Sequence, residues 1–259
     1  MQNNNFLRAF VGQNLVSLKE VDSTNTFLKN ILANSAPVPD GTVIMAESQV
    51  AGRGQQQNKW YSTTGESLTF SILLKPSFLQ LNQQFFLTQL VSISVYETLL
   101  PLVGNELKIK WPNDIYIGNR KLGGILIENQ VQGSAIKNSV IGIGLNINQA
   151  HFPDWVPNPI SLKQILQTDY DLKALMFEIC GYIEQWYIKL KQGDSSQLSQ
   201  AYLAALYRLN KSSKFKVQDI IVEGTIRGVR ADGLLEVQHE QNTTAYNLKE
   251  IQFIHTTES

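Results

Sequence analysis

One cysteine, three histidines and no excess charge of either sign put several kinds of protein out of reach of this 259-residue chain. A lone Cys180 excludes an internal disulfide framework and fits a reducing compartment. His151, His239 and His255 are scattered without metal-ligand spacing, which disfavours metal-hydrolase chemistry. The 22 basic and 22 acidic residues cancel, so no global field draws the chain to nucleic acid or to an anionic membrane. Any phosphate it binds must be held locally. No uninterrupted apolar run approaches membrane-spanning length, and the opening MQNNNFLRAF lacks a basic segment followed by an apolar core, so a cytoplasmic protein is expected. Neither a P-loop nor a dinucleotide fingerprint is present: GRGQQQNKW lacks the Gly-Lys-Ser/Thr ending, and GIGLNIN does not open a helix.

What is present suffices for one large core, or for a main domain with a small appendix, since 43% of the residues are hydrophobic. The pattern predicts a strand near Asn14 to Lys19, then a helix from Thr24 to Ala33 capped by Asp22 or Ser23. The stretch Ala36 to Gly41 leads into a strand from Thr42 to Glu47. A long polar loop follows, and the run Ser67 to Leu74 reads as a buried strand. Asn82 to Leu100 reads as a long helix, succeeded by strand-like runs at Leu107 to Trp111, Ile115 to Ile117, Leu122 to Glu128 and Val140 to Ile147. Turns at Gly118-Asn119 and Gln132-Gly133-Ser134 make hairpins of these, which favours a mixed, largely antiparallel sheet backed by helices, an α+β fold, over a doubly wound one. Helices at Leu172 to Lys191 and Leu198 to Tyr207 come next, the first placing Cys180 in its apolar stripe as an inert, partly buried thiol. Arg208 to Ser213 reads as a linker to a short alternating segment with an Asp232-Gly233 turn, sized for a small barrel.

Four segments concentrate polar and glycine residues beside apolar strands. In DSTNTFLK, Ser23, Thr24 and Asn25 stand at a helix N-terminus, where free N–H groups and short side chains can grip a polar ligand; alone, this is also ordinary helix capping. In ESQVAGRGQQQNKW, Gly52 and Gly54 permit close backbone approach, Arg53 brings a planar cation for carboxylate or phosphate, and Trp60 offers a flat face; a flexible loop with a structural tryptophan reads equally well. KIKWPNDIYIGNRKLGGILIEN is the most specific stretch. It crowds Lys110, Asn113, Asp114, Lys121, Gly123 and Gly124 between buried strands, where an unpaired charge costs several kcal/mol, roughly. Lys108 and Arg120 fit it less well and read as solvated. In VIGIGLNIN, Gly142 and Gly144 strip one strand face of side chains, room for a fused bicyclic ring or an adenine, and Asn146 ends the strand with a donor and an acceptor.

Taken together, STN, GRG with a following KW, KWPND with KLGGILIE, and GIGLNIN, in this order and spacing, resemble the biotin protein ligase family. The resemblance implies a class II synthetase-like catalytic domain at residues 1–208 and a C-terminal SH3-like barrel at residues 209–259. It implies an enzyme that uses ATP to make biotinyl-5'-AMP and transfers biotin to a lysine of a biotin carboxyl carrier protein or domain, with Mg²⁺ on the phosphates and Asp114 near it. By position, Ser23, Thr24, Asn25, Gln49, Gly124 and Leu126 would hold the biotin head. Gly52, Arg53, Gly54, Gln55, Gly142 and Gly144 would complete that side. Trp60 would stack on adenine with Asn146 across the ring, and Lys110, Asn113 and Asp114 would serve the nucleotide. Lys121, with Arg53, would be catalytic, a fixed cation between the carboxylate and the α-phosphate rather than a nucleophile.

Two departures from the family pattern stand out. Many relatives carry a second arginine after GRG; here the loop runs Gln55-Gln56-Gln57-Asn58, which weakens the expected grip on the adenylate, and the loop is expected to gain order only over that ligand. The first motif begins at Ser23, leaving no room for the N-terminal helix-turn-helix of bifunctional members, so no DNA binding is expected. Two other readings remain. A lipoate or octanoate ligase or transferase shares the chemistry but lacks the KWPND and GRG pairing. A non-catalytic biotin sensor would not need Lys121, Arg53 and Trp60 together. The sequence does not choose between a monomer and a homodimer paired through sheet edges.

Overall fold

The computed structural model describes residues 10–34, 37–55 and 58–254; residues 1–9, Ala36, Gln56, Gln57 and His255, all named above, lie outside them. A seven-stranded sheet is ordered β1-β2-β3-β7-β6-β5-β4. Its strands are β1 (Leu15–Val21), β2 (Val43–Gln49), β3 (Ser67–Leu74), β4 (Leu107–Lys110), β5 (Asp114–Ile117), β6 (Arg120–Gln132) and β7 (Ala135–Asn146). Only β1 and β2 pair in parallel; every other neighbouring pair is antiparallel. The mixed, helix-backed sheet expected from the short connections is what forms.

Two faces of β3 explain the layering. Leu68, Phe70, Ile72 and Leu74 point into the main core, beneath α2 (Phe85–Val103) and α4 (Leu172–Lys191). On the opposite face Leu73 joins Leu28, Ile44 and Val140 in a smaller cluster under α1 (Thr24–Asn34). Each such buried aliphatic contributes about 1.5–3 kcal/mol relative to exposure. Toward Ser67 the same face changes character: Ser71 and Thr69 pair in register with Gly142 and Gly144 of β7, which in turn pair with Leu126 and Gly124 of β6. Helix α1 ends its cover at that border, with Thr24 and Asn25 facing the stripped surface.

Helix α2, with its flanking turns at Leu81–Glu106, is long and apolar enough to cross a bilayer by length and composition. No apolar run in it is uninterrupted, since Thr88, Gln89, Ser92, Ser94, Glu97 and Thr98 break it, but a helix readily hides hydroxyls. Ser94 Oγ donates to Leu90 O at 2.7 Å and Thr98 Oγ1 to Ser94 O at 2.9 Å, so these interruptions cost little apolar character. Here the helix is covered by α4, α5 (Ser195–Ala204) and the sheet. Cys180 of α4 is fully buried rather than partly.

A segment between β7 and α4 contains α3 (Leu162–Leu166), which sequence patterning missed. After α5, five strands, β8 (Ser212–Val217), β9 (Ile220–Val229), β10 (Leu235–His239), β11 (Asn242–Tyr246) and β12 (Ile251–Phe253), form an antiparallel sheet ordered β11-β10-β9-β8-β12. The expected linker is tied down: Leu209 bridges to Ile226, Arg208 Nη1 donates to Ile254 O at 2.9 Å, and Ser212 already opens β8. Trp111 Nε1 donates to Gly233 O at 2.9 Å, joining the second sheet to the first. Gly233 has φ +91, and a Cβ there would lie 2.7 Å from Phe85, so both the turn and the close approach require glycine.

Candidate functional site

The polar end of the sheet face forms the floor of a cavity of about 700 Å³. Its wall includes Ser23, Thr24, Asn25, Gln49, Arg53, Gly54, Gln55, Trp60, Lys110, Asn113, Asp114, Lys121, Gly124, Leu126, Gly142 and Gly144. Of the residues expected to meet a ligand, Gly52 and Asn146 do not line it, and neither does Gly123, whose missing Cβ would instead meet Leu145 and the Gly144 carbonyl.

One corner is a hydrogen-bond mesh. The Thr24 backbone N–H donates to Gln49 Oε1 at 2.8 Å, and the Thr24 hydroxyl donates to the same atom at 3.1 Å. The Ser71 hydroxyl lies 2.7 Å from Thr24 Oγ1 and 2.6 Å from Asn25 Oδ1. Asn25 Nδ2 donates to Leu126 O at 3.3 Å and to Glu128 Oε2 at 2.9 Å. Gly142 makes this possible, because a Cβ there would sit 2.5 Å from Asn25 Oδ1. The room expected for a ligand ring at Gly142 is therefore occupied by Asn25. Gly144 behaves likewise: its missing Cβ would lie 2.6 Å from Trp60 Cε2, so the indole is laid against the strand. Trp60 Nε1 is buried with no hydrogen-bond partner among the described residues.

At the other end Lys121 Nζ lies 2.7 Å from Asp114 Oδ1, with the missing Gly124 Cβ 3.2 Å from that oxygen and 3.4 Å from Lys121 Nζ. The bulge between Ile115 and Tyr116 shifts the β5–β6 register beside this pair. Lys121 is fixed from behind. Its N–H donates to Asn158 O at 2.7 Å, and its carbonyl accepts from Ile160 N–H at 3.0 Å and Asn146 Nδ2 at 3.3 Å. Asn146 Oδ1 accepts from buried Gln149 at 3.2 Å, so this side chain braces the wall instead of facing the cavity. Arg120, expected to be solvated, has its guanidinium on the same strap, Nε and Nη2 donating to Pro159 O at 3.0 and 2.6 Å. It is exposed but engaged.

Lys110 Nζ donates to Tyr116 Oη at 3.1 Å and stands 4.7 Å from the Tyr116 ring centroid and 5.2 Å from that of Phe253. Burial pulls its pKa down to about 8; Asp114 opposes the shift, and the like charges of Lys121 and Arg208 add to it. Burial, with Asp114 and Tyr207, pushes the Tyr116 hydroxyl well above its ordinary range.

The glycine loop has regular pairing. Gly54 N–H donates to Asn58 O at 2.7 Å, Trp60 N–H to Gly52 O at 2.9 Å, and Arg53 bridges Lys59. Gly52 thus closes a small hairpin, and a Cβ there would meet Trp60 O at 2.5 Å. These pairings flank Gln56 and Gln57, which lie outside the described residues. Arg53 Nη2 is anchored on Glu128 Oε2 at 3.0 Å, while Lys29 Nζ takes Glu128 Oε1 at 2.6 Å. Burial works against the Glu128 charge, but the hydrogen bonds from Lys29 and Asn25 and the charges of Arg53 and Lys29 outweigh it and hold the carboxyl below its ordinary range.

Sequence reasoning missed Glu128, Lys29 and Lys59. It also missed Leu248, Lys249, Ile251, Gln252 and Phe253 of the C-terminal segment, all of which line the cavity. Glu128 carried a legible signal, a carboxylate directly after the apolar run Ile125-Leu126-Ile127 on a strand. The C-terminal residues carried none.

Residues 17–146 match the biotin/lipoate A/B protein ligase family. Among curated proteins, the bifunctional ligase/repressor BirA of Bacillus subtilis is 37% identical over 147 residues, 56% of this chain and 44% of that protein. The chain thus spans less than half the length of that relative. The biotin–[acetyl-CoA-carboxylase] ligase of Mycobacterium tuberculosis is 32% identical over 83% of this chain and 80% of its own length. Among solved structures, the biotin protein ligase from Aquifex aeolicus in complex with biotin and ATP superposes with a TM-score of 0.78 at 28% identity, covering 94% of this chain and 100% of that one.

Proposed function

The chain belongs to the biotin/lipoate A/B protein ligase family, and from that premise we propose that it activates biotin with ATP and transfers it to a lysine of a biotin carboxyl carrier domain. The observation that carries this reading is the convergence of four segments, far apart in sequence, on one cavity where Gly142 and Gly144 let Asn25 and Trp60 lie directly against the sheet. The mesh of Thr24, Asn25, Gln49 and Ser71 suits a cyclic urea with two N–H donors and one acceptor, where each group left unpaired costs about 1–3 kcal/mol.

In the first half-reaction a carboxylate oxygen of biotin attacks the α-phosphorus. The bond to the β-phosphate oxygen breaks, and pyrophosphate leaves with the electron pair. Two anions have to meet. Lys121, fixed by its backbone to the strap at Asn158–Ile160, offsets their repulsion, and Arg53 adds a second cation from the loop. Asp114 holds Lys121 Nζ in place until the anions take it over. In the second half-reaction a neutral carrier lysine attacks the acyl carbon; the amide forms, AMP leaves, and the nitrogen gives up a proton. Correct placement of the two reactants supplies much of that step.

Among the described residues no group of three or more His, Cys, Asp or Glu is placed to hold a metal ion. Asp114, the only carboxylate lining the cavity among those residues, is paired with Lys121, a donor set that suits Mg²⁺ carried mainly by the nucleotide's own phosphates. When bound, that ion would neutralise charge on the pyrophosphate leaving group.

Biotin-dependent exchange of labelled pyrophosphate into ATP, and transfer of biotin or lipoate to a carrier domain, test the proposal. Exchange with biotin and not lipoate is expected, falling by about 10²–10³-fold in Lys121→Ala. Wild-type protein without exchange, or with transfer of lipoate in preference, overturns it.

A further inference from the structure

Glu128 has no part in the scheme above, yet its carboxylate is the point where the floor of the cavity meets the loop over it. Oε2 accepts from Asn25 Nδ2 at 2.9 Å and from Arg53 Nη2 at 3.0 Å, and Oε1 accepts from Lys29 Nζ at 2.6 Å. One carboxylate with three donors from three segments differs from an isolated surface pair, whose contribution would be slight. Its place is set by register. Leu126 pairs with Gly142 and Glu128 with Val140, so Glu128 stands one step beyond the stripped surface, at the border where α1 begins its apolar cover.

The hydrogen-bond inventory of Asn25 gives this placement a consequence. An amide has two N–H donors and an oxygen with two lone pairs. Both donors are spent, on Leu126 O and on Glu128, and neither partner can donate. The amide is therefore locked with Oδ1 toward the Ser71 hydroxyl, 2.6 Å away, and one lone pair of Oδ1 is the only capacity left unused by these contacts. A glutamine in place of Glu128 could donate as well as accept, so the shorter of the two bonds that fix the amide would no longer set its orientation, and only the longer one to Leu126 O would still do so. Arg53 gains from the same carboxylate an anchor that places its guanidinium beside Asn25.

We infer that Glu128 is a positioning residue that sets the polarity of the head pocket through Asn25 and seats Arg53 beside it, making the site selective for a ligand head that presents N–H donors. This rests on the proposed function only in taking that head to be the cyclic urea of biotin. Glu128 itself need touch neither substrate.

The test uses the full chain carrying Glu128→Gln, with two readouts. In pyrophosphate exchange the KM for biotin is expected to rise about tenfold while kcat stays within about threefold and the KM for ATP is unchanged. Without added biotin or ATP, trypsin is expected to cut the Arg53–Gly54 bond about fivefold faster, because the arginine has lost its anchor. Lys216→Met, which removes an exposed ion pair with Asp219 in the C-terminal sheet and touches no part of the site, should leave both readouts within about twofold of wild type. Should Glu128→Gln not fold, Glu128→Asp keeps the charge but withdraws it by one methylene, and both readouts should move the same way to a smaller extent. A biotin KM and a cleavage rate both at the wild-type value in a folded variant overturn the inference. So does a loss confined to kcat. If the wild type shows no biotin-dependent exchange, the functional proposal fails by itself, and the proteolysis readout still judges whether Glu128 seats Arg53.

Discussion

Two residues of one strand, Leu73 and Ser71, face the same side of the sheet, are equally buried and lie two positions apart, yet they belong to different parts of the molecule. Leu73 sits with Val140, Ile44 and Leu28 in a small apolar core under α1. Ser71 sits over Gly142 in a mesh of amides and hydroxyls. Backbone, register and solvent exclusion are shared; only the side chains differ. One continuous sheet thus carries a core and a binding floor side by side, and the helix that covers the first ends in residues that furnish the second.

The largest expected effect is a double dissociation between those ends. Leu73→Ala removes buried methyl groups from a packed cluster and should cost about 2–5 kcal/mol of unfolding free energy in urea titrations. Its biotin KM should stay close to wild type. Gly142→Ala should do the reverse. Its Cβ would meet Asn25 Oδ1 at 2.5 Å, so Asn25 must leave its bonds to Glu128 and Leu126. A rise of about tenfold to a hundredfold in the biotin KM is expected, with a shift in the urea midpoint smaller than that of Leu73→Ala. Equal loss of stability in both variants would show that the two ends are one energetic unit.

A smaller effect is expected where the floor is braced. Arg120 touches nothing in the cavity but holds Pro159 O with two donors, and the strap it holds carries the backbone bonds to Lys121. Arg120→Ala should lower kcat for pyrophosphate exchange about fivefold to tenfold with the biotin KM unchanged, since a loosened cation weakens the transition state more than the bound substrate. An unchanged kcat would mean that the bonds from Asn158 and Ile160 suffice.

How much of this arrangement was legible in the sequence followed from how locally each feature is determined. β3 and α4 have the predicted limits, Ser67–Leu74 and Leu172–Lys191, because a solid apolar run and a long helical stripe need no partner to be recognised. β6 runs from Arg120 to Gln132, well beyond the predicted Leu122 to Glu128. Its extension is polar and is stabilised by cross-strand pairs such as Gln130 with Asn138 and Asn129 with Ser139, which only the register reveals. α3 was missed although Ser161 and Gln164 bear the spacing of a cap, and the Ser161 hydroxyl does accept the Gln164 N–H at 3.1 Å. The site residues could be gathered from motifs, but the use of their space could not. That Asn25 and Trp60 fill the gaps left by Gly142 and Gly144 depends on contacts across more than eighty residues. The share of the wall contributed by Leu248 to Phe253 had no local signal, because it follows from the docking of one sheet on another.

That docking sets the smallest of the expected effects. Lys110 lies between the ring of Tyr116, from its own sheet, and that of Phe253, from the C-terminal one, and burial there brings its pKa down to about 8. An ordinary lysine holds its proton to about 10.4. Between the two values the unfolded chain binds the proton more tightly than the folded one, so unfolding free energy rises with pH in that window, and the cost of burying the charge is present in full below pH 8. Function runs the other way. If Lys110 attracts nucleotide phosphates, the attraction fades as pH passes about 8, and the ATP KM should rise about threefold to fivefold between pH 7 and pH 9. Lys110→Arg, which keeps its charge throughout, should flatten the profile to within about twofold. Phe253→Ala opens the ammonium to water, so its midpoint should move up toward the ordinary lysine value, and the rise in KM should move to higher pH with it. A profile in Phe253→Ala that matches wild type would mean that the C-terminal sheet lines the cavity without tuning the cation beside it.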